Sequence, residues 1–185
     1  MTKARDLSVG IPNGLVLIKP TGATNGTVND PGTVTIGSAV TSVTVSGAFS
    51  ATYDNYKILI SDVDCSNNDS YLALKFNNSA GSTYAFTGTL NTLPTTTQVF
   101  GSSATANGIY VGLTGTTNNT AAQIEVLSPF KAFWTSTTYM FTGTTQVGFG
   151  CGIDKNSASQ TGFSINYVGA GNLTGGTISI YGYRK

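Results

Sequence analysis

The densest group of chemically capable side chains is Asp62-Val-Asp-Cys-Ser-Asn-Asn-Asp69, with three carboxylates in eight residues. Hard oxygen ligands at alternating positions are what a calcium loop offers. The EF-hand arrangement fails here, because the position that needs Gly is Asn67 and the one that needs a bidentate Glu is Ala73. An Asx-rich turn at a strand end accounts for the same residues, so no metal site is expected. A glycosidase needs two acids about 5–9.5 Å apart across one bond. Asp154 with the Asp62/Asp64/Asp69 group would be the first pair to test, although no motif surrounds either. The chain has no histidine, which excludes a Ser-His-Asp triad, an imidazole base and a His-ligated metal. Gly-x-Ser-x-Gly is absent, and no phosphate-binding glycine loop follows a strand. With no nucleophile–base pair to name, the expectation is a non-enzyme without cofactor.

Cysteines and aromatics are the remaining candidates. Cys65 and Cys151 lack a CxxC partner, and two buried free thiols are expected rather than a disulfide. Phe133 and Trp134 close the stretch Ser128-Pro-Phe-Lys-Ala-Phe-Trp. They serve either as a core plug or as a contact platform, since large amphipathic rings suit both. In Ile178-Ser-Ile-Tyr-Gly-Tyr, the alternation sets Tyr181 and Tyr183 opposite Ile178 and Ile180. A strand apolar on both faces suits a subunit or ligand contact.

The elements that carry these residues are strands. Among 185 residues there are 30 Thr, 18 Ser, 15 Asn and 23 Gly, while charged residues are only 9%. Soluble domains usually carry about 25% charge; here β-branched and turn-forming residues replace it. Period-2 alternation recurs at Val43/Val45/Phe49, Tyr56/Ile58/Ile60, Leu72/Leu74/Phe76, Ile109/Val111/Leu113, Ile124/Val126, Tyr139/Phe141, Phe163/Ile165/Tyr167 and Ile178/Ile180. Gly, Asn or Ser clusters bound each run, and no segment shows helical spacing. An all-β antiparallel sandwich or jelly roll of about 8–10 strands is expected, with an extended N-terminal arm.

Three zones divide the chain. Residues 1–20 hold Lys3, Arg5, Asp6 and the apolar Leu15-Val-Leu-Ile run, and residues 20–32 are rich in breakers. The expected organisation is therefore an arm and linker over 1–32 and a sandwich over 33–185. A net charge of +1 with scattered Lys and Arg argues against a nucleic-acid partner. No apolar run approaches the roughly 20 residues of a membrane helix, and no signal-peptide core follows the basic start. Asn-x-Ser/Thr sequons at Asn25, Asn68, Asn77, Asn118 and Asn172 fit chance in so Asn- and Thr-rich a chain. They are not read as glycosylation sites.

An ordered set of short motifs carries a resemblance across the whole chain. These are Lys3-Ala-Arg-Asp-Leu, Pro12-Asn-Gly-Leu-Val-Leu-Ile-Lys-Pro20, Tyr53-Asp-Asn-Tyr-Lys-Ile-Leu-Ile60 and the ending Gly176-Thr-Ile-Ser-Ile-Tyr-Gly-Tyr. With them the chain resembles small β-sandwich virion structural proteins of tailed, cyanophage-like bacteriophages. The resemblance implies a capsid decoration (cement), head-fibre or tail-appendage protein, often trimeric, at the particle surface after assembly in the host cytoplasm. It supplies no catalytic residue. The expectation is attachment to the major capsid protein, or to tail or collar proteins, through Lys3, Arg5 and Asp6 and through pairing of Leu15, Val16, Leu17 and Ile18 with a neighbour. The competing expectation is a receptor-binding tail-fibre module that recognises host surface polysaccharide.

Overall fold

The computed structural model describes residues 14–67, 70–79, 81–92, 96–114, 120–143 and 146–184. They form an all-β sandwich of two antiparallel sheets. The strands are β1 (Leu15–Ile18), β2 (Gly22–Thr24), β3 (Gly26–Val28), β4 (Val34–Ile36), β5 (Ser42–Ser46), β6 (Asn55–Val63), β7 (Ser70–Phe76) and β8 (Tyr84–Thr92). They continue as β9 (Thr96–Ala106), β10 (Ile109–Thr114), β11 (Thr120–Leu127), β12 (Thr135–Thr142), β13 (Gln146–Asp154), β14 (Phe163–Val168) and β15 (Thr177–Tyr183). The large sheet runs β3-β4-β15-β6-β11-β12-β13-β8-β9, and the small one β10-β7-β14-β5-β2.

Alternation places the core where the sequence puts it. Tyr56, Ile58, Ile60, Ile124, Val126, Tyr139, Phe141, Ile178 and Ile180 point inward from the large sheet and are buried. Val43, Val45, Leu72, Leu74, Phe163 and Ile165 meet them from the small one. Burial of such side chains contributes roughly 1.5–3 kcal/mol each, which makes a charge-poor chain foldable without ion-pair networks.

Two expectations change. The expected count of 8–10 strands is too low: the segment read as arm and linker contributes three short strands, β1 to β3, and residues 33–185 hold the other twelve. β1 pairs with the chain's own β15 (Leu15↔Tyr183 to Ile18↔Ile180), alongside β4, which holds the same edge at Thr177 and Ile178. Leu15, Val16, Leu17 and Ile18 are thus built into this sandwich rather than left for a neighbour. The edge of β15 beyond β4 carries unpaired backbone groups that β1 satisfies, and Ile18 packs against the core. β2 joins the small sheet through β5 and β3 joins the large one through β4, so residues 20–32 lace the two sheets together. The sandwich therefore starts by residue 15, not at 33. Gly26 fits this crossing because a Cβ there would lie 2.8 Å from the Thr35 carbonyl oxygen. Lys3, Arg5 and Asp6 lie outside the described residues.

Candidate interaction surface

The outward face of the large sheet gathers the functional candidates, and strand register sets them out in four rows. The end row runs Leu15, Tyr183, Asn55, Leu127, Ser136, Ile153, Ala85. The next is Leu17, Tyr181, Lys57, Glu125, Thr138, Cys151, Thr87. A third holds Ser179, Leu59, Gln123, Met140, Phe149, Thr89. The last includes Ala121, Thr142, Val147 and Asn91.

β13 gives this face its apolar character. Its sequence, Gln-Val-Gly-Phe-Gly-Cys-Gly-Ile-Asp, puts Gly148, Gly150 and Gly152 on the inward side and Val147, Phe149, Cys151 and Ile153 outward. The inward positions admit no side chain. A Cβ on Gly148 would enter the Phe141 ring, one on Gly150 the Tyr139 ring, and one on Gly152 would sit 2.8 Å from Ile109 Cγ2. Phe141 and Tyr139 from β12 and Ile109 from β10 fill that space, so β13 spends its apolar side chains on the solvent side. Phe149 is 55% exposed and its cross-strand partner Met140 64%. Shallow depressions of about 460 and 500 Å³ lie beside them, one lined by Leu59, Ala121, Met140, Val147 and Phe149, the other by Thr87, Ser136, Thr138 and Cys151.

The charges on this face are already matched. Lys57 Nζ lies 2.9 Å from Glu125 Oε1, both side chains being largely buried. The Tyr183 hydroxyl donates to Glu125 Oε2 at 2.6 Å. Loss of hydration, and then the Glu125 carboxylate, push the Tyr183 phenol up to about 12. Tyr181 and Tyr183 therefore lie on the outward face opposite Ile178 and Ile180, half-buried. Tyr183 is fixed by an acceptor rather than free to seek one.

Phe133 and Trp134 lie just beyond the end row, in the loop after Leu127, and are 66% and 48% exposed. The structure decides against the core-plug reading. The loop is tied at its base: the Ser128 amide donates to the Asp54 carbonyl, the Gln160 amide to the Pro129 carbonyl, and Lys131 Nζ pairs with Asp54 at 3.3 Å. These anchors leave its tip outward.

The acids do not assemble a reactive pair. Asp154 is fully buried and accepts from Ser79 Oγ, from Thr83 Oγ1 at 2.7 Å, from the Asn156 amide at 3.1 Å and from Gln160 Nε2 at 3.4 Å. Gln160, equally buried, accepts from the Asn78 amide at 2.9 Å. This network clamps the segment after β13 to the β7–β8 turn, and the carboxylate has no face left for substrate. Among the described residues, no three His, Cys, Asp or Glu side chains converge as metal ligands. Asp62 and Asp64 flank the end of β6, while Asp69 lies outside the described residues.

Both cysteines are free thiols, but only Cys65 is buried, and desolvation pushes its thiol up to about 11. Cys151 is exposed, against expectation. The same glycine alternation that turns Phe149 outward turns Cys151 outward two residues later. Sequence reading missed Leu59, Met140, Val147 and Phe149. The available signal was Gly at every second position of 148–152, which reads as turn chemistry unless neighbouring strands are known to fill the gaps.

No family model and no curated protein matches the chain. Among solved structures, it is similar to a protein of unknown function from Shewanella oneidensis MR-1, at 10% identity and a TM-score of 0.25, over 96% of this chain and 82% of that one. No helix among the described residues is long and apolar enough to cross a membrane.

Proposed function

We propose that the chain is a non-enzymatic structural protein of a bacteriophage virion, of the capsid decoration or head-fibre type, that works through contacts between copies. The observation that carries this reading is the neutral, apolar outward face of the large sheet around Met140 and Phe149. A second copy is its natural cover. The 24 positions of the four rows, each about 4.8 Å by 6.8 Å, cover roughly 780 Å², close to the ~800 Å² per partner of a standard interface. The one ion pair on the face is internally satisfied, so copies gather about a threefold axis without charge repulsion, and a charged partner would find nothing to complement. The resemblance supplies the virion setting and the expected homotrimer.

Attachment to the particle is assigned to Lys3, Arg5 and Asp6. Because β1 belongs to the sandwich, the informative truncation removes residues 1–13 and keeps Gly14 onward. That protein should remain folded and oligomeric while losing association with particles. Imaging intact particles should find the full chain on their surface; full retention of the truncated form would remove the anchor role.

A second reading, a tail-fibre module binding host polysaccharide, is favoured by the exposure of Phe133 and Trp134. Glycan titration monitored by Trp134 fluorescence tests it. A Trp134 signal unchanged by any host polysaccharide would dismiss it.

A further inference from the structure

The outward face of the small sheet carries a polar trough that the structural role leaves unused. Its floor is one cross-strand row, Tyr110↔Ala73↔Asn166↔Ser42, spanning β10, β7, β14 and β5. Ala73 is almost fully buried at the bottom because its methyl group is overtopped by larger neighbours on the same face. Lys75, one row along, forms one side; Thr41, Val168 and Gly169 border the other, and Asn107 reaches in from the β9–β10 turn. The trough is open on its solvent side and has a volume of about 460 Å³, within the range of roughly 300–1,000 Å³ usual for small-molecule sites.

The trough is rigid where it needs to be. The Tyr110 ring stacks on Tyr71 with centroids 4.9 Å apart and 14° between planes, and Phe86 lies 4.9 Å away as well. Tyr110 is thus a fixed wall rather than a mobile flap. Asn166 is oriented by its own donors: Nδ2 bonds Ser164 Oγ at 2.9 Å and the Ala73 carbonyl at 3.4 Å. Its Oδ1 has no hydrogen-bond partner among the described residues, and neither has the Asn107 side chain. Lys75 has no ion-pair partner among them, and no carboxylate lines the trough.

A lone ammonium, two amides and the hydroxyls of Thr41, Ser42 and Tyr110 around the low point at Ala73 make one cationic point set among neutral donors and acceptors. Vicinal hydroxyls suit amide and hydroxyl partners, while a carboxylate suits Lys75 through a charge-assisted hydrogen bond. We infer that this trough binds an acidic sugar unit of a polysaccharide, its carboxylate on Lys75 and its hydroxyls on Asn166, Asn107 and Ser42. None of these residues belongs to the Phe133–Trp134 loop, and the site requires no particular oligomeric state.

The test is calorimetric titration of the full chain with trimeric oligosaccharides of galacturonate, glucuronate and mannuronate and with sialyllactose, each beside its methyl ester. At least one acid should bind, its ester at least tenfold more weakly, since a hydrogen bond to a charged group contributes more than a neutral one. Lys75→Met should reduce acid binding to the ester level, and Asn166→Ala should weaken acid and ester alike. Lys19→Met, the same charge change elsewhere, should leave the affinity within twofold. Circular dichroism confirms that each variant is folded. Binding by none of the acids overturns the inference, and so does an affinity indifferent to Lys75→Met. Loss on Trp134→Ala with Lys75→Met silent would assign the sugar to the loop instead.

Discussion

Replacing Asp154 by Ala separates a structural carboxylate from a reactive one. The side chain is fully buried and receives four hydrogen bonds, from Ser79, Thr83, the Asn156 amide and Gln160. Removing it deprives all four donors of one acceptor at once. An unsatisfied buried donor costs about 1–3 kcal/mol. Hydroxyls can rotate to other acceptors, and Gln160 Nε2 keeps the Ala158 carbonyl at 3.1 Å, but the Asn156 amide is held by its segment. Counting only that amide, the loss is roughly 1–3 kcal/mol. For a chain of this size, 1 kcal/mol moves the midpoint by about 2–4 °C, so Tm should fall by at least ~2 °C. Urea unfolding followed by far-ultraviolet circular dichroism gives the free energy, and the m-value checks that unfolding remains two-state. Asp154→Asn, which keeps one acceptor oxygen, should recover part of the loss. A change below about 0.5 kcal/mol for the alanine variant would refute the argument, because such values belong to surface sites.

Four further outcomes follow from the same structure. Met140→Ser/Phe149→Ser should shift the protein toward monomer in light scattering while Tm at high dilution stays within about 2 °C, since both residues are exposed before association. Gly150→Val should destabilise by about 2 kcal/mol or more in urea unfolding, because its side chain must displace the Tyr139 ring. A thiol reagent should titrate one cysteine in the native state, Cys151, and two after unfolding, as burial and a raised pKa keep Cys65 protonated. Tyr183 and Cys65 both have folded pKa values raised above their unfolded ones, so their contribution is complete below about pH 9 and is lost through pH 11–12. Alkaline unfolding measured on Tyr183→Phe should accordingly show a shallower loss of stability between pH 10 and 12.

The sequence alone determined the fold class and most of the core, because side-chain direction in a strand has period 2. Tyr56, Ile58 and Ile60, or Phe163, Ile165 and Tyr167, reveal their inward face without any knowledge of neighbours. The placement of Tyr181 and Tyr183 opposite Ile178 and Ile180 was equally legible. Only the tertiary structure decided what lies across from each strand. Nothing local shows that Leu15–Ile18 completes the edge of a strand more than 150 positions later. Nothing local in 146–154 shows that Phe141 and Tyr139 fill the places its glycines vacate, so the outward turn of Phe149 stayed hidden. Asp154 looks like any acid until Ser79, Thr83 and Gln160 close over it. The Tyr110–Ala73–Asn166–Ser42 row draws one residue from each of four strands, and register between strands is set by long-range pairing that no single segment encodes.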